Sequence, residues 1–144
     1  MTPQAMTALH ALCFSVPRPW TAEAFAALLT SPLVFFCGTE QGFILGRVVA
    51  GEAELLTLAV HPDARRRGMG RQLLAEFHAR AQARAATEAF LEVAADNLPA
   101  IGLYTAGGYV RAGLRRGYYS RAPRKPVDAL ILRKDLGPPA GQSF

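Results

Sequence analysis

The chain has 144 residues, of which 51% are hydrophobic and 19% are charged, and this predicts one folded domain with a sizeable core. No apolar run approaches the roughly 20 residues that a membrane-spanning helix needs, and the first residues lack the plan of a signal peptide, so we expect a cytoplasmic protein without membrane contact. The net charge is +5, with −2 in residues 1–60 and +7 in residues 61–144. Because the basic groups are scattered without an aromatic-interleaved recognition motif, direct nucleic-acid binding is not expected.

The first elements are helical. Residues 3–13 predict a helix with Ala5, Leu9, Leu12 and Cys13 on one side. The prolines of the segment Val16–Trp20 predict a loop after it. Thr21 is placed to cap a second helix over residues 22–29.

Three apolar runs, over residues 33–37, 43–49 and 53–60, predict an antiparallel meander. A helix follows to about residue 85, with an apolar stripe of Met69, Leu73, Phe77 and Ala81. The apolar run over residues 89–95 predicts a central strand. Because a helix separates it from the third strand, we expect these two strands to run parallel in a right-handed unit.

The last third predicts one helix and one hairpin. Asn97 can cap a helix from Leu98 to Ala106, which Gly107 and Gly108 end. Strands over residues 109–115 and 127–134 are expected to pair, joined by a long basic loop, Arg116–Pro126. We assign residues 1–136 to a single domain and residues 137–144 to a flexible C-terminal tail.

A basic turn, Arg65-Arg66-Arg67-Gly68-Met69-Gly70, lies between the third strand and the long helix. Glycines let a backbone come close to a ligand, and the first N–H groups of a helix lack internal partners. This combination predicts a phosphate-binding turn. Its spacing matches neither a P-loop nor the three glycines of a dinucleotide-binding fold.

Two side chains could carry proton transfer. Glu92 interrupts an apolar strand, so it lies either at a solvated edge or in a partly buried place that suits a proton acceptor. Tyr104 follows in the next helix, where a phenol can donate a proton to a thiolate or can simply pack. Cys13 and Cys37 are interpreted as reduced core residues. The histidines His10, His61 and His78 show no metal-ligand spacing, and no metal site is predicted.

The turn Arg-x-x-Gly-x-Gly resembles the pyrophosphate loop of the GNAT N-acetyltransferases, which hold acetyl-CoA by this turn. The segments 91–97, 100–104 and 107–109 resemble the second conserved block of that fold. With Pro19-Trp20 near the start and the segment Arg115–Tyr119 near the end, the set is most similar to the ribosomal-protein-alanine N-acetyltransferase (RimI-like) branch. The resemblance implies an α/β (α+β) GNAT fold with a mixed, mostly antiparallel sheet of about six strands and helices on both faces.

The resemblance also implies residue roles. Glu92 would be the general base that deprotonates the acceptor amine, and Tyr104 the general acid that protonates the departing CoA thiolate, in a direct transfer without an acyl-enzyme. Cofactor contacts are implied at Leu58, Ala59 and Val60, at Arg65, Arg66, Arg67, Gly68, Met69, Gly70 and Arg71, and at Asn97. An acceptor slot is implied between Trp20, Tyr118 and Tyr119.

The acceptor that this branch implies is a protein N-terminus, that of an alanine-initiated small-subunit ribosomal protein, modified by a monomer or weak dimer. Two alternatives stay open. One is a GNAT enzyme that acetylates a small amine, such as a polyamine, an amino acid or an antibiotic. The other is a non-catalytic acyl-CoA-binding regulator, which the presence of both Glu92 and Tyr104 disfavours. The family usually has a strand before the first helix, and residues 2–5 are too short and too poor in β-formers to supply it.

Overall fold

The computed structural model describes residues 1–14 and 20–138, so most of the loop before Trp20 and of the predicted tail lies outside the described residues. Two helices, α1 (Pro3–Cys13) and α2 (Ala22–Leu29), come first, and Thr2 and Thr21 cap them through their side-chain oxygens. The remaining elements are β1 (Val34–Thr39), β2 (Gly42–Val49), β3 (Glu52–Val60), a short 3-10 helix (Pro62–Ala64), α3 (Met69–Ala83), β4 (Glu88–Ala94), α4 (Leu98–Ala106), β5 (Val110–Arg121) and β6 (Arg124–Asp135).

The strands form one six-stranded sheet in the order β1-β2-β3-β4-β6-β5, and only β3 and β4 pair in parallel. A larger core packs α3 against one face of the sheet, and a smaller core packs α1 and α2 against the other. The predicted mixed sheet with helices on both faces is therefore confirmed. The apolar stripe of α3 is confirmed as well, since Leu73, Phe77 and Ala81 are buried and Met69 packs against the same core.

A bulge in β3 lies beside the cavity described below. Leu45 of β2 pairs with Thr57 while the next residue, Gly46, pairs with Leu55, so Leu56 is left as an extra residue. The bulge reverses the alternation of side chains along β3. Leu55 and Leu58 therefore both pack against the larger core, although they are three residues apart.

Beside the bulge, β3 and β4 separate. Their parallel pairing covers only Glu52–Glu54 and Glu88–Phe90, whereas β4 continues to pair with β6 as far as Ala94. The second half of β3 thus has no strand partner on its β4 side. A sheet that opens in this way leaves a cleft with free backbone groups along one wall.

Two expectations were wrong. Residues 116–126 do not form a long loop, because β5 and β6 keep pairing beyond the bulges near Gly117 to the register Arg121 with Arg124. On α1, Leu12 is 59% exposed and the buried side chains are Met6, Leu9 and His10. The helix is rotated from the expected stripe because His10 turns inward to meet polar partners.

Candidate active site

A cavity of about 330 Å³ lies where β3 and β4 separate. Its size falls within the range of small-molecule sites. Seven predicted site residues line it, from six different elements or loops: Trp20, Leu58, Glu92, Asn97, Tyr104, Tyr118 and Tyr119. The topology thus brings together residues that lie up to 99 positions apart in the sequence.

Glu92 lies on β4 at the wall of this cavity, and its side chain is 27% exposed. Its Oε1 is 3.2 Å from Nε of Arg115 on the neighbouring hairpin. The guanidinium of Arg115 also lies over the ring of Tyr118, 5.0 Å from its centroid. Arg115 therefore fixes the carboxylate and the aromatic wall together, and it was not singled out as a site residue from the sequence.

Tyr119 belongs to the same cluster. Burial raises the pKa of its phenol to about 12, and the charge of Glu92 and the neighbouring Tyr118 add to this effect while Arg115 opposes it. The rings of Tyr118 and Tyr119 meet edge to face with centroids 5.1 Å apart. The phenol of Tyr119 is therefore uncharged at neutral pH, and its ring forms part of the aromatic wall of the cavity.

Tyr104 reaches the cavity from α4 and is only 6% exposed. Its ring packs edge to face against Tyr109, with centroids 5.7 Å apart, and Tyr109 is held through its hydroxyl by His78 at 2.8 Å. Burial raises the pKa of Tyr104. The phenol is therefore protonated at neutral pH and has a proton to donate.

The basic turn lies at the N-terminus of α3, outside the cavity lining. Gly68 precedes the helix with φ of 78° and supplies no side-chain cap. Within the described residues, the backbone N–H groups of positions 66–71 have no hydrogen-bond partner. A Cβ built at Gly68 meets nothing within 4 Å. Open space in front of unpaired donors fits a pyrophosphate, and the exposed arginines around it supply charge.

Some residues of the predicted cofactor-binding set already make contacts within the protein. Arg65 folds back, with its Nε donating to the Val60 carbonyl at 3.1 Å, and the thiol of Cys13 donates to the same carbonyl at 3.3 Å. Both lone pairs of the Val60 carbonyl are thus used. Ala59 is buried in the smaller core, so only its backbone could meet a cofactor. Asn97 caps α4 by accepting from the Ala100 N–H at 3.3 Å, as predicted.

Residues that the sequence did not single out also line the cavity, among them His10, Phe14 and Thr57. His10 stacks on Phe14 with ring centroids 4.4 Å apart and lies 5.4 Å from the ring of Trp20. No local signal marks these residues, since one hydrogen-bond partner of His10, Thr57, lies 47 positions later in the chain. Only the fold brings them to one wall.

Within positions 1–14 and 20–138, no three His, Cys, Asp or Glu side chains cluster as a metal ion would require. In the same part of the chain, no helix is both long and apolar enough to cross a membrane.

The mixed sheet opens at a cavity that Glu92 and Tyr104 line, and a basic glycine-containing turn precedes the adjoining helix, as expected for an acyltransferase that uses a coenzyme A thioester. Residues 4–109 match the Acetyltransferase (GNAT) family. The chain belongs to this family, and acetyl-CoA is its co-substrate.

Two curated relatives and one solved structure are similar to the chain over most of its length. The N-alpha-acetyltransferase RimI of Mycobacterium tuberculosis is 35% identical, over 95% of this chain and 89% of the relative. The [ribosomal protein bS18]-alanine N-acetyltransferase of Escherichia coli K12 is 36% identical, over 79% of each chain. The crystal structure of the E. coli ribosomal-protein-S18-alanine N-acetyltransferase superposes with a TM-score of 0.84 at 27% identity, covering 99% of this chain and 92% of that one.

Proposed function

We propose that this enzyme transfers the acetyl group of acetyl-CoA to the N-terminal amine of a protein, and that its acceptor is the alanine-initiated ribosomal protein bS18 in the cytoplasm. One observation carries the chemical part of the proposal: Glu92 and Tyr104 line the same cavity from opposite elements, β4 and α4. The acceptor part is supported by the names of the curated relatives, which modify this ribosomal protein at alanine.

The co-substrate would be held along two stretches. Backbone N–H groups and arginines of the turn, from Arg66 to Arg71, would bind its pyrophosphate, because unpaired amides at a helix N-terminus favour an anion. The free edge of β3 at Leu58 and Ala59 would align its pantetheine, since the Val60 carbonyl already has two donors. Acetyl-CoA supplies the thioester that is attacked.

Glu92 would take the proton of the attacking amine. A free α-amine has a pKa of roughly 7.7–8.0, against about 10.4 for a lysine side chain. Near pH 7 an α-amine is therefore partly neutral, and a carboxylate can remove the remaining proton directly or through one water at small cost. The ion pair of Arg115 with one oxygen of Glu92 holds the carboxylate in place for this step.

Tyr104 would protonate the CoA thiolate as the carbon–sulfur bond breaks. Its side chain lines the cavity, and because burial raises its pKa the hydroxyl still carries its proton at neutral pH. Trp20, Tyr118 and Tyr119 line the cavity, and their rings would form the walls of an acceptor end that favours a small first residue such as alanine over a branched one.

The test is to incubate the purified enzyme with acetyl-CoA and a peptide that carries the bS18 N-terminal sequence with an internal lysine. Tandem mass spectrometry locates the added group. We expect one acetyl group on the N-terminal nitrogen and none on the lysine. Acetylation confined to the lysine, or absence of product while a small amine is acetylated, would contradict the proposal.

A further inference from the structure

His10 is a buried polar residue that the proposed reaction does not use. It is 1% exposed and lies on the inner face of α1 among aromatic rings, with Phe25 edge-on at 5.6 Å. Burying a polar ring in apolar surroundings costs free energy unless both nitrogens find partners. The partners that it does find lie on the cavity wall.

The two ring nitrogens have fixed and different roles. The backbone N–H of Trp20 donates to Nδ1 at 3.1 Å, so this nitrogen carries no proton in the neutral ring. The proton must then be on Nε2, which donates to Oγ1 of Thr57 at 2.9 Å. Burial lowers the pKa of His10 to about 4, so this neutral tautomer holds at neutral pH.

The two partners belong to separate parts of the cavity. Trp20 enters α2 from the α1 side, and its carbonyl accepts a second hydrogen bond from Thr7. Thr57 is the residue of β3 that directly follows the bulged Leu56, and it is only 7% exposed. His10 thus links the aromatic acceptor wall to the strand at the point where the sheet opens.

We propose that His10 is a positioning residue for the acceptor wall of the cavity. Its two hydrogen bonds, to Trp20 and to Thr57, fix the distance between these residues, and we call this link the tie. This inference rests on the proposed function, because it assigns the Trp20 side of the cavity to the acceptor. The tie holds the width of the acceptor end while leaving the basic turn, Glu92 and Tyr104 untouched. Its loss should therefore weaken acceptor binding without changing co-substrate affinity.

Two amide variants remove the two hydrogen bonds of His10 one at a time. In His10→Asn the amide oxygen can replace Nδ1 and keep the Trp20 bond, but the Thr57 bond is lost. In His10→Gln the amide nitrogen can replace Nε2 and keep the Thr57 bond, but the Trp20 bond is lost. A neutral hydrogen bond contributes on the order of 1 kcal/mol, or about fivefold, so each variant should raise the acceptor KM about fivefold. His10→Leu should raise it about twentyfold.

Thr57→Val supplies a matched control on the strand, because it removes only the hydroxyl. If the tie exists, Thr57→Val and His10→Asn each raise the acceptor KM, and the double variant is no worse than either single one. Additive effects would contradict the tie. An unchanged acceptor KM in all variants, or a change confined to the dissociation constant of acetyl-CoA, would overturn the proposal.

A readout independent of catalysis comes from Trp20, the single tryptophan of the chain. Acrylamide quenching of its fluorescence should increase about twofold in His10→Gln and in His10→Leu, and should stay at the wild-type value in His10→Asn. If wild type fails to acetylate the alanine peptide, the proposed function falls, while the quenching still tests the tie. Equal quenching in His10→Leu and wild type would overturn the tie, whatever the acceptor.

Discussion

The roles that we propose for Glu92 and Tyr104 rest on different physical environments. Glu92 is partly exposed and oriented by an arginine, whereas Tyr104 is buried and has a raised pKa. A proton acceptor benefits from staying charged and accessible, and a donor benefits from staying protonated until the leaving group develops charge. The two environments match the two tasks.

The first prediction at this scale concerns Tyr104→Phe, which removes the hydroxyl and keeps the ring. Because a positioned acid contributes about a hundredfold or more, we expect turnover to fall by at least that factor while the dissociation constant of acetyl-CoA stays within about twofold. Steady-state kinetics and calorimetric titration measure the two quantities. Near wild-type turnover at saturation would identify Tyr104 as a packing residue.

A second prediction compares two glutamates of β4. Glu92→Gln should lower kcat/KM about a hundredfold, with the largest deficit at low pH, where less of the amine is neutral. Glu88→Gln is the control, since Glu88 lies on the same strand, is similarly exposed and is paired with Arg133 outside the cavity. Equal losses in both variants would show that the strand, rather than the base, had been disturbed.

At the scale of elements, the α3 N-terminus carries co-substrate binding. Gly68→Val should weaken acetyl-CoA binding at least tenfold, by roughly 1.4 kcal/mol, because the added carbons fill the open space in front of the unpaired amides. Gly51→Val provides the control: Gly51 has φ of 80° against 78° for Gly68, and its surroundings are open. It should lose similar folding stability and bind acetyl-CoA normally. Equal affinity of both variants for acetyl-CoA by calorimetry would contradict pyrophosphate binding at this turn.

Elements with local signals were predicted well. Helix α4 has the predicted bounds, Leu98–Ala106, because Asn97 caps its start and Gly107 ends it. The hairpin was mispredicted because Gly117 and the prolines at 123 and 126 indicate a loop. In the structure Gly117 takes a positive φ of 58° within the strand, and its N–H donates to Asp128 Oδ1 at 2.8 Å. Long-range pairing overrides these local breakers.

The candidate site shows the same contrast between features with a local sequence signal and features that depend on long-range pairing. Glu92, Tyr104 and the basic turn could be found because they lie in recognisable segments. The bulge at Leu56 and the early end of the β3–β4 pairing could not, since register depends on partners that a single sequence does not specify. His10 was missed for the same reason, as both of its hydrogen bonds depend on how α1 docks on the sheet.

For the whole molecule, two histidines, the buried His10 and the half-buried His78, link stability to pH. Burial lowers the pKa of His10 to about 4, and burial together with Lys134 lowers the pKa of His78 to about 4, from 6.5 for a free histidine. Between these pH values the unfolded chain binds more protons than the folded one, so stability is lost as pH falls from 6.5 to 4.

Urea unfolding at pH 7, 6 and 5 measures this loss. We expect the free energy of unfolding of wild type to fall steeply over this range, and His10→Gln to show a smaller slope because one titrating group is gone. Parallel slopes in wild type and in the variant would show that His10 does not set the pH dependence of stability.

We expect this cavity to select a protein α-amine over other amines. A single competition reaction at pH 7 tests it most directly, with acetyl-CoA and equal concentrations of three amines: the alanine-initiated peptide, the same peptide blocked at its N-terminus but carrying a lysine, and spermidine. Quantitative mass spectrometry reads all three products. Acetylation of the alanine α-amine at least tenfold faster than the other two is the predicted result, and preferential acetylation of spermidine or of the lysine would contradict the account.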